Sequence, residues 1–449
     1  MRAVKKSLIQ ADPKKIQAAR LSHESAPGKP LTQAKLVEML HEVGVKISER
    51  RLQTIEATGR VKQSVLATIC ELLDVDLDSM LPDGQLPWSI PRAEWNPLIH
   101  SPAWLLRAEM AVVPFHFRRE ERAALEDWCL DANPLRARLI WGQGGMGKTR
   151  LALELCKWMR DRGWRAGFIN YDLFSSDQNL WVEAMKDPDP ILVVLDYAES
   201  RIAKIDWLIG MVASLRPNRF RILLLARSKS GDWWAELCRC RNAGALVASK
   251  AMDVQQLMPF TMDSKKRKES YQLAAKGFAE RLGRPEPIVS PHHIDSAVYD
   301  RILLLHIQAL ASIDKIHGEN EDGILDYLLH RERRFWSERI SSRQMDSSLL
   351  IAVEEAMTAV TANGGVKSME EGLALLRLLP SLDGRPQDIR VALNNLLHEC
   401  YPGSNWIEPV QPDIFGERLS EVVLGNNRPL RRALIGETAK AARKRKGND

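Results

Sequence analysis

The feature that most constrains this chain is a glycine-rich loop between an apolar run and a helical pattern. Residues 142–149 have the sequence GQGGMGKT, which matches the phosphate-loop pattern G-x-x-x-x-G-K-[ST]. The apolar run 139–141 precedes the loop and the leucine-rich pattern 151–155 follows it. Backbone N–H groups of such a loop turn toward a phosphate, which also lies at the positive end of the helix dipole. The sequence therefore predicts a site for a nucleotide.

The polar residues of the loop each have a chemical reason to be there. Lys148 can reach the β- and γ-phosphates, and Thr149 can ligate Mg²⁺, so the predicted cofactors are ATP or ADP and Mg²⁺. The alternative is a glycine-rich turn that precedes a helix and contains a chance Lys-Thr pair. The predicted cofactor-binding residues of the loop are Gly142, Gln143, Gly144, Gly145, Met146, Gly147, Lys148, Thr149 and Arg150.

Two further apolar runs end in charged residues. The run 190–195 ends at Asp196, and the run 221–226 ends at Arg227. Such runs are typical of strands buried on both faces of a parallel sheet, and ligands bind at the carboxyl edge of such sheets. Asp196 is therefore predicted to hold the water shell of Mg²⁺, as a metal residue alongside Thr149. Arg227 is predicted to sense or stabilise the γ-phosphate.

Glu199, three residues after Asp196, is a candidate for orienting the attacking water. The alternatives are a solvated turn carboxylate for Glu199, a strand-end turn residue for Asp196 and a surface salt bridge for Arg227. The predicted catalytic residues are Lys148, Asp196, Glu199 and Arg227.

The N-terminal residues 13–80 carry apolar residues at helical spacing. Thr32 and Ser48 are placed to cap the second and third helices. Residues 1–60 hold twelve Lys and Arg against six Asp and Glu, an excess that favours contact with nucleic-acid phosphates. The predicted helices span residues 14–22, 33–40, 49–58 and 65–73.

The segment 31–81, which begins LTQAKLVEMLHEVGVKISERRLQTIEATGRV, resembles the Cro/repressor-type helix-turn-helix family. Glu56 and Gly59 match the glutamate and glycine that end the family's recognition helix, whereas His41 and Glu42 lengthen the turn. In that family the recognition helix enters the major groove of DNA. The alternative is a helical module of the same shape that binds protein or only dimerises. The DNA-binding residues implied by the resemblance are Thr32, Gln33, Ser48, Arg50, Arg51 and Gln53.

Three motifs in the order GQGGMGKTRLAL, LVVLDYAESR and LLLARSKSGDWW resemble the bacterial STAND class of signal-transduction ATPases, which is akin to the NB-ARC and NACHT switch ATPases. The resemblance covers about residues 100–425. It implies that Asp196 is the Walker B acid, Glu199 the second acid and Arg227 the sensor arginine. Tyr197 takes the place of a glutamate directly after the aspartate, so slow hydrolysis is expected.

The same resemblance implies adenine contacts from Phe115 and Arg118, in a motif where Phe117 replaces the family's usual glycine. The expected fold class is multidomain: an all-α helix-turn-helix domain, an α/β P-loop NTPase with a parallel sheet, and then a helical lid and a winged-helix-like domain. The winged helix of the family closes on bound ADP and holds the resting state. The expected boundaries are 1–82 for the helix-turn-helix domain, 83–110 for a linker, 111–262 for the NTPase core, 263–345 for the lid, 346–425 for the winged-helix-like domain and 426–449 for a basic tail.

Composition narrows the remaining classes of function. The chain has 449 residues, of which 45% are hydrophobic and 27% charged, as in a soluble globular protein. No apolar run of about twenty residues and no apolar leader occurs, so we expect a cytoplasmic protein with reduced cysteines and no membrane partner.

The lead hypothesis is an ATP-binding and ATP-hydrolysing switch with a DNA-binding domain, acting as a transcriptional regulator or as a stress or phage-defence sensor. The expected partners are DNA, further copies of the chain on activation, and a sensor or effector protein supplied in trans. The family's usual repeat array does not follow residue 425, so either the sensor is absent, or another protein supplies it, or the chain is a truncated product. Two alternatives remain: an adaptor in which ATP drives oligomerisation and the helix-turn-helix fold recruits an effector, and a motor ATPase acting on nucleic acid.

Overall fold

The computed structural model describes residues 8–26, 29–58, 60–75, 86–91, 95–97, 100–170, 178–186, 188–259, 263–287, 294–318, 320–403 and 405–434. Contacts within the chain define two compact units. The first unit comprises Met1–Pro91, Glu120–Trp141 and Leu151–Gln256. The second unit comprises Arg92–Arg119, Gly142–Arg150 and Leu257–Asp449.

Among its described residues, the N-terminal part of the first unit has four helices and short strands. The helices are α1 (Pro13–Ser22), α2 (Gln33–Glu42), α3 (Glu49–Thr58) and α4 (Gln63–Leu72). Strand β1 (Leu8–Gln10) pairs with β4 (Arg60–Lys62), and β2 (Glu24–Ala26) pairs with β3 (Lys29–Pro30). The four predicted helices are confirmed, but the expectation of an all-α domain is corrected, because strands of two or three residues leave no period-two pattern in a sequence.

The apolar spacing explains how these helices pack. Leu36 and Leu40 lie four residues apart on α2, Leu52 and Ile55 lie three apart on α3, and all four are buried. The predicted caps are confirmed: the Thr32 hydroxyl accepts from the N–H of residue 35, and the Ser48 hydroxyl accepts from the N–H of residue 51. The end of the predicted block, residues 78–81, lies outside the described residues.

The remainder of the first unit is built on a mostly parallel sheet, which has six strands among the described residues. The strands are β5 (Trp88–Ser89), β6 (Leu135–Trp141), β7 (Arg165–Ile169), β8 (Ile191–Leu195), β9 (Phe220–Ala226) and β10 (Met252–Gln256). In spatial order they are β10, β6, β9, β8, β7 and β5, and all neighbours pair in parallel except β5 and β7. The predicted parallel sheet is therefore confirmed.

Burial distinguishes the predicted strands from the missed ones. β8 and β9 are buried over their whole length, which is why their sequences are continuous apolar runs. β10 lies at the sheet edge, and its sequence MDVQQ carries too few apolar residues to be recognised as a strand. The helices that lie wholly or mainly in this unit are α5 (Arg119–Leu130), α6 (Lys148–Asp161), α7 (Gln178–Met185), α8 (Ile202–Leu215), α9 (Asp232–Arg239) and α10 (Arg241–Ala248).

A fully buried arginine stabilises the entry to this sheet. Arg221, the second residue of β9, donates from Nε to the carbonyl of Trp128, from Nη1 to that of Asn133 and from Nη2 to that of Asp131, at 3.0, 2.9 and 2.6 Å. These carbonyls belong to the C-terminal end of α5 and the loop before β6, where the helix dipole favours a cation. Burial lowers the pKa of Arg221 to about 10, so the guanidinium keeps its charge at neutral pH.

The second unit is helical and has its own apolar core. Helices α12 (Ile302–Ile313) and α14 (Leu349–Ala362) are largely buried, which accounts for their apolar sequences. The helical character predicted for residues 263–345 is confirmed, and residues 346–425 hold further helices. None of the described helices combines the length and apolar character needed to cross a membrane. The helices are α11 (Ser264–Leu282), α12 (Ile302–Ile313), α13 (Glu321–Ser342), α14 (Leu349–Ala362), α15 (Met369–Leu376), α16 (Gln387–Cys400) and α17 (Asp413–Asn426).

Candidate nucleotide-binding site

The glycine loop begins at the peptide bond after Trp141, where β6 ends, and α6 starts within it at Lys148. Gly145 and Gly147 have φ angles of 82° and 87°, which glycine adopts without the strain that a side chain would bring. The Lys148 ammonium is buried and donates to the carbonyls of Gly142 and Gln143, at 2.5 and 2.9 Å. The loop therefore has the backbone that a phosphate loop requires, and its lysine lies against that backbone.

The next three carbonyls of the loop accept bonds from other parts of the second unit. The carbonyl of Gly144 accepts from Arg301 Nε at 3.0 Å, and that of Gly145 accepts from the N–H of Leu303 at 3.0 Å. The carbonyl of Met146 accepts from Arg118 Nη2 at 3.2 Å. In a trans peptide the N–H points opposite to the C=O. The N–H groups of residues 145–147 are therefore turned away from these donors, which is the arrangement that binds an anion.

The start of α17 also lies against the loop. A Cβ built on Gly144 would lie 3.1 Å from the Ile414 side chain, and one built on Gly145 would lie 3.1 Å from the side chain of Leu303. Ile414 is buried. The loop is thus packed against the first turns of both α12 and α17, and a larger residue at either glycine would disturb that packing.

The segment 115–118, predicted to contact adenine, is anchored beside the loop. Arg118 is buried, and besides its bond to the loop it donates to the carbonyl of Met258 at 2.7 Å. His116 Nδ1 donates to the carbonyl of Pro114, and its Nε2 lies 2.9 Å from the hydroxyl of Ser270. Burial lowers the pKa of His116, which favours the neutral ring and a bond donated by Ser270.

Phe117 has a φ angle of 58°, the left-handed conformation that glycine adopts more readily. The STAND resemblance predicts glycine at this position. Phe117 therefore has the backbone conformation that a glycine would adopt there. Phe115 is half-buried. Its predicted contact with adenine, like that of Arg118, stays a prediction.

The strand register brings the predicted acidic and basic residues to one edge of the sheet. Trp141, the last residue of β6, pairs with Ala226, the last residue of β9. Leu195, the last residue of β8, pairs with Leu224. Because β9 lies between β6 and β8, the residues that follow β8 and β9 emerge at the edge where β6 ends.

Asp196, Glu199 and Arg227 all lie at this edge. The Asp196 carboxylate accepts from the N–H of Tyr197, whose φ of 56° turns the chain sharply after β8. Glu199 Oε1 accepts from the backbone N–H of Arg227 at 3.4 Å, and its Oε2 is buried with no hydrogen-bond partner among the described residues. The structure therefore brings Glu199 and Arg227 together, while their catalytic roles stay predictions.

The residues predicted to bind DNA fall into two groups. Ser48, Arg50 and Gln53 are exposed on α3 or at its start, and Arg51 is half-buried. Thr32 and Gln33 instead make bonds within the domain. Thr32 caps α2, and Gln33 Nε2 donates to Glu56 at 2.7 Å. Ser48, Arg50 and Gln53 are therefore the predicted DNA contacts whose side chains are exposed.

Glu56 is turned inward, away from the exposed face of α3. It is buried, and its two oxygens accept from Arg20 Nε and Nη2 at 2.6 and 3.0 Å. Arg20 balances the charge of Glu56 within the protein, so Glu56 does not add negative charge to the exposed face of α3 that is predicted to contact DNA. Glu49 is exposed in the first turn of the same helix.

Sequence reasoning missed the residues that contact the loop from afar. Arg301, Leu303 and Ile414 belong to segments that the sequence marks only as helical or apolar. No spacing rule links them to the loop, because Arg301 is 157 residues from Gly144 in the chain.

No family model matches the chain. A search of curated proteins found no match either. Among solved structures, similar chains include a replication initiator DnaA bound to AMPPCP and single-stranded DNA, with 13% identity over 68% of this chain and 92% of that chain and a TM-score of 0.30. AMPPCP-bound DnaA from Aquifex aeolicus has 14% identity over 78% and 95% of the two chains and a TM-score of 0.29. PCH-2 from C. elegans has 15% identity over 51% and 68%, with a TM-score of 0.25.

Likenesses this weak carry no argument about function. The class of the fold rests instead on the parallel sheet and on the glycine loop that joins β6 to α6. These features define a P-loop ATPase fold, with the strand that precedes Arg227 lying between the loop strand and the strand that precedes Asp196.

Proposed function

We propose that this protein is an ATP-dependent switch that binds and slowly hydrolyses nucleotide at residues 142–149 and carries a DNA-binding domain at its N-terminus. One observation carries the proposal: the carbonyls of residues 144–146 are bonded to Arg118, Arg301 and Leu303, outside the loop. A loop held in this way couples phosphate binding to the position of the surrounding helices.

The chain's own residues fit the phosphates of a nucleotide. The N–H groups of residues 145–147 and the start of α6 offer donors to the β-phosphate, and Lys148 exchanges its backbone carbonyls for phosphate oxygens. Thr149 is the proposed Mg²⁺ ligand, and Asp196 is proposed to hold the water shell of the ion. Mg²⁺ supplies positive charge that offsets the charge of the phosphates.

Glu199 and Arg227 are proposed to act in hydrolysis. Glu199 Oε2, buried without a partner among the described residues, is proposed to orient the attacking water. Arg227 is proposed to stabilise charge on the γ-phosphate. Tyr197, in the position next to Asp196 where the resembled family has a glutamate, supports slow turnover. Such a rate suits a switch better than a motor.

The finer assignment to the STAND class is part of this proposal. The contact of Ile414 with the loop supports it, because it places the C-terminal helical segment against the nucleotide site, as a winged helix does when it closes on ADP. The backbone of Phe117 supports it as well. The proposed resting state is the closed, ADP-bound form.

DNA binding by the N-terminal domain is proposed from the exposed face of α3. Arg50 and Gln53 are exposed on that face. Glu56 is paired with Arg20 inside the domain, so its negative charge does not oppose DNA at that face. Arginine and glutamine side chains contact base edges and phosphates. Control of transcription, or of a stress or phage-defence response, is the proposed outcome.

Gel shifts on genomic DNA fragments test the switch. The affinity for DNA should differ at least about fivefold between ADP and a non-hydrolysable ATP analogue, a typical allosteric coupling. Lys148→Ala should lose that difference, whereas Arg50→Ala combined with Gln53→Ala should lose DNA binding and keep nucleotide binding. Equal DNA affinity with both nucleotides would rule the switch out.

The adaptor is the second candidate, because two large apolar residues are exposed among the described residues of the N-terminal domain. Leu21 and Val43 are 48% and 54% exposed, which suits a protein partner. In this case ATP would drive assembly of several copies and the domain would recruit an effector. Mass photometry without DNA decides: ATP-dependent oligomers that bind no DNA favour the adaptor.

A further inference from the structure

The first two turns of α13 carry three carboxylates that contact two separate arginines of the second unit. Glu321 pairs with Arg301, which precedes α12. Asp322 and Asp326, four residues apart on one face of the helix, pair with Arg418 of α17. We call these three carboxylates the acidic clasp.

Arg301 links the acidic clasp to the phosphate loop. Its Nε donates to the carbonyl of Gly144 at 3.0 Å, and its Nη1 donates to Glu321. One guanidinium thus touches the loop and α13 at the same time. Because the group is planar and rigid, its bonds to the loop carbonyl and to Glu321 have fixed directions relative to each other.

Arg418 links the acidic clasp to α17. Its Nε and Nη2 donate to the two oxygens of Asp326 at 2.9 and 3.1 Å, and its Nη1 lies 3.2 Å from Asp322 and 2.9 Å from Glu421. A bidentate pair with further carboxylates around one arginine is stronger than an isolated surface pair. The Arg418 side chain is only 15% exposed, which limits screening by solvent.

Arg301 and α17 both contact the phosphate loop at the same residue, Gly144. Four residues before Arg418, Ile414 packs on Gly144, the same residue whose carbonyl accepts from Arg301. The phosphate loop is therefore connected to α13 by Arg301, which bonds to Glu321, and to α17 by the packing of Ile414. The acidic clasp on α13 is bonded to both Arg301 and Arg418 of α17.

We propose that the acidic clasp holds α17 closed over the phosphate loop through Arg418 and senses the loop through Arg301, and so sets the rate at which bound nucleotide is released. The inference rests on the proposed function, since it needs a nucleotide at the loop. Arg301 and Arg418 are positioning residues in this account. Release requires α17 to leave the loop, and the ion pairs of Arg418 oppose that movement.

The test follows dissociation of mant-ADP, a fluorescent ADP analogue, from the full-length protein by stopped flow. Arg418→Gln should speed release about fivefold and Asp326→Asn about threefold, as expected for loss of a partly buried bidentate pair. The double variant should release no faster than Arg418→Gln, because both changes remove the same interaction. Higher ionic strength should speed release from the wild type more than from Arg418→Gln.

Arg333→Gln is the matched control. Arg333 makes an equally bidentate pair with Glu354 of α14, at 2.9 and 2.8 Å, and has no bond to α17 or to the loop among the described residues. It should lower thermal stability, although by less than Arg418→Gln, and should change mant-ADP release less than twofold.

Equal release from the wild type and Arg418→Gln, or equal acceleration by Arg333→Gln, would overturn the acidic clasp and leave the proposed function standing. Failure of the wild type to bind mant-ADP at all would overturn the proposed function, and the inference with it.

Discussion

Phe117 departs from the pattern of the family that the chain resembles, yet its backbone follows that pattern. Its φ of 58° lies in the left-handed region, where a side chain costs about 1–2 kcal/mol. The adjacent Arg118 bonds to Met146 and Met258, which holds the segment in place and offsets this strain. Phe117 therefore differs from the family's glycine in its side chain but has a backbone conformation that glycine readily adopts.

Comparison of Phe117→Gly with Phe117→Ala tests this interpretation. Both variants lose the ring, but only glycine relieves the backbone, so the glycine variant should be more stable by roughly 0.5–1 kcal/mol. Thermal unfolding of the two variants side by side gives the measurement. An alanine variant at least as stable as the glycine variant would show that the backbone is not strained.

Strand β9 illustrates what an element's sequence reveals and what it hides. Its apolar run predicted a buried parallel strand, because burial on both faces selects apolar residues. The role of Arg221 was not predictable, because its partners lie about ninety residues away, on α5 and the following loop. A charged residue at the start of an apolar run resembles a strand boundary, whereas here it is fully buried.

Arg221→Met should lower the midpoint of thermal unfolding by roughly 4–8 °C. Methionine keeps much of the apolar stem but leaves several buried carbonyls without donors, a loss of about 2 kcal/mol or more. Arg219→Met, two residues earlier and half-buried, should change the midpoint by less than about 2 °C. Similar shifts in the two variants would mean that the bonds of Arg221 contribute little.

The molecule as a whole was predictable where its signals are local in the sequence. The phosphate loop, the strands β8 and β9 and the helices after residue 263 follow from motifs and periodicity. The contacts that hold the loop could not be predicted, because Arg301 and Ile414 reach it from distant helices and differ in no visible way from other residues there. A sequence therefore locates the loop but not the elements that respond to it.

Residues 142–149 are proposed to bind an adenine nucleotide through Lys148. Isothermal titration of ADP into nucleotide-free protein, with Lys148→Ala beside the wild type, tests it most directly. One ADP per chain should bind the wild type, and the variant should bind at least about tenfold more weakly because it loses charge-assisted bonds to the phosphates. No binding to the wild type, or equal affinity in Lys148→Ala, would contradict the account.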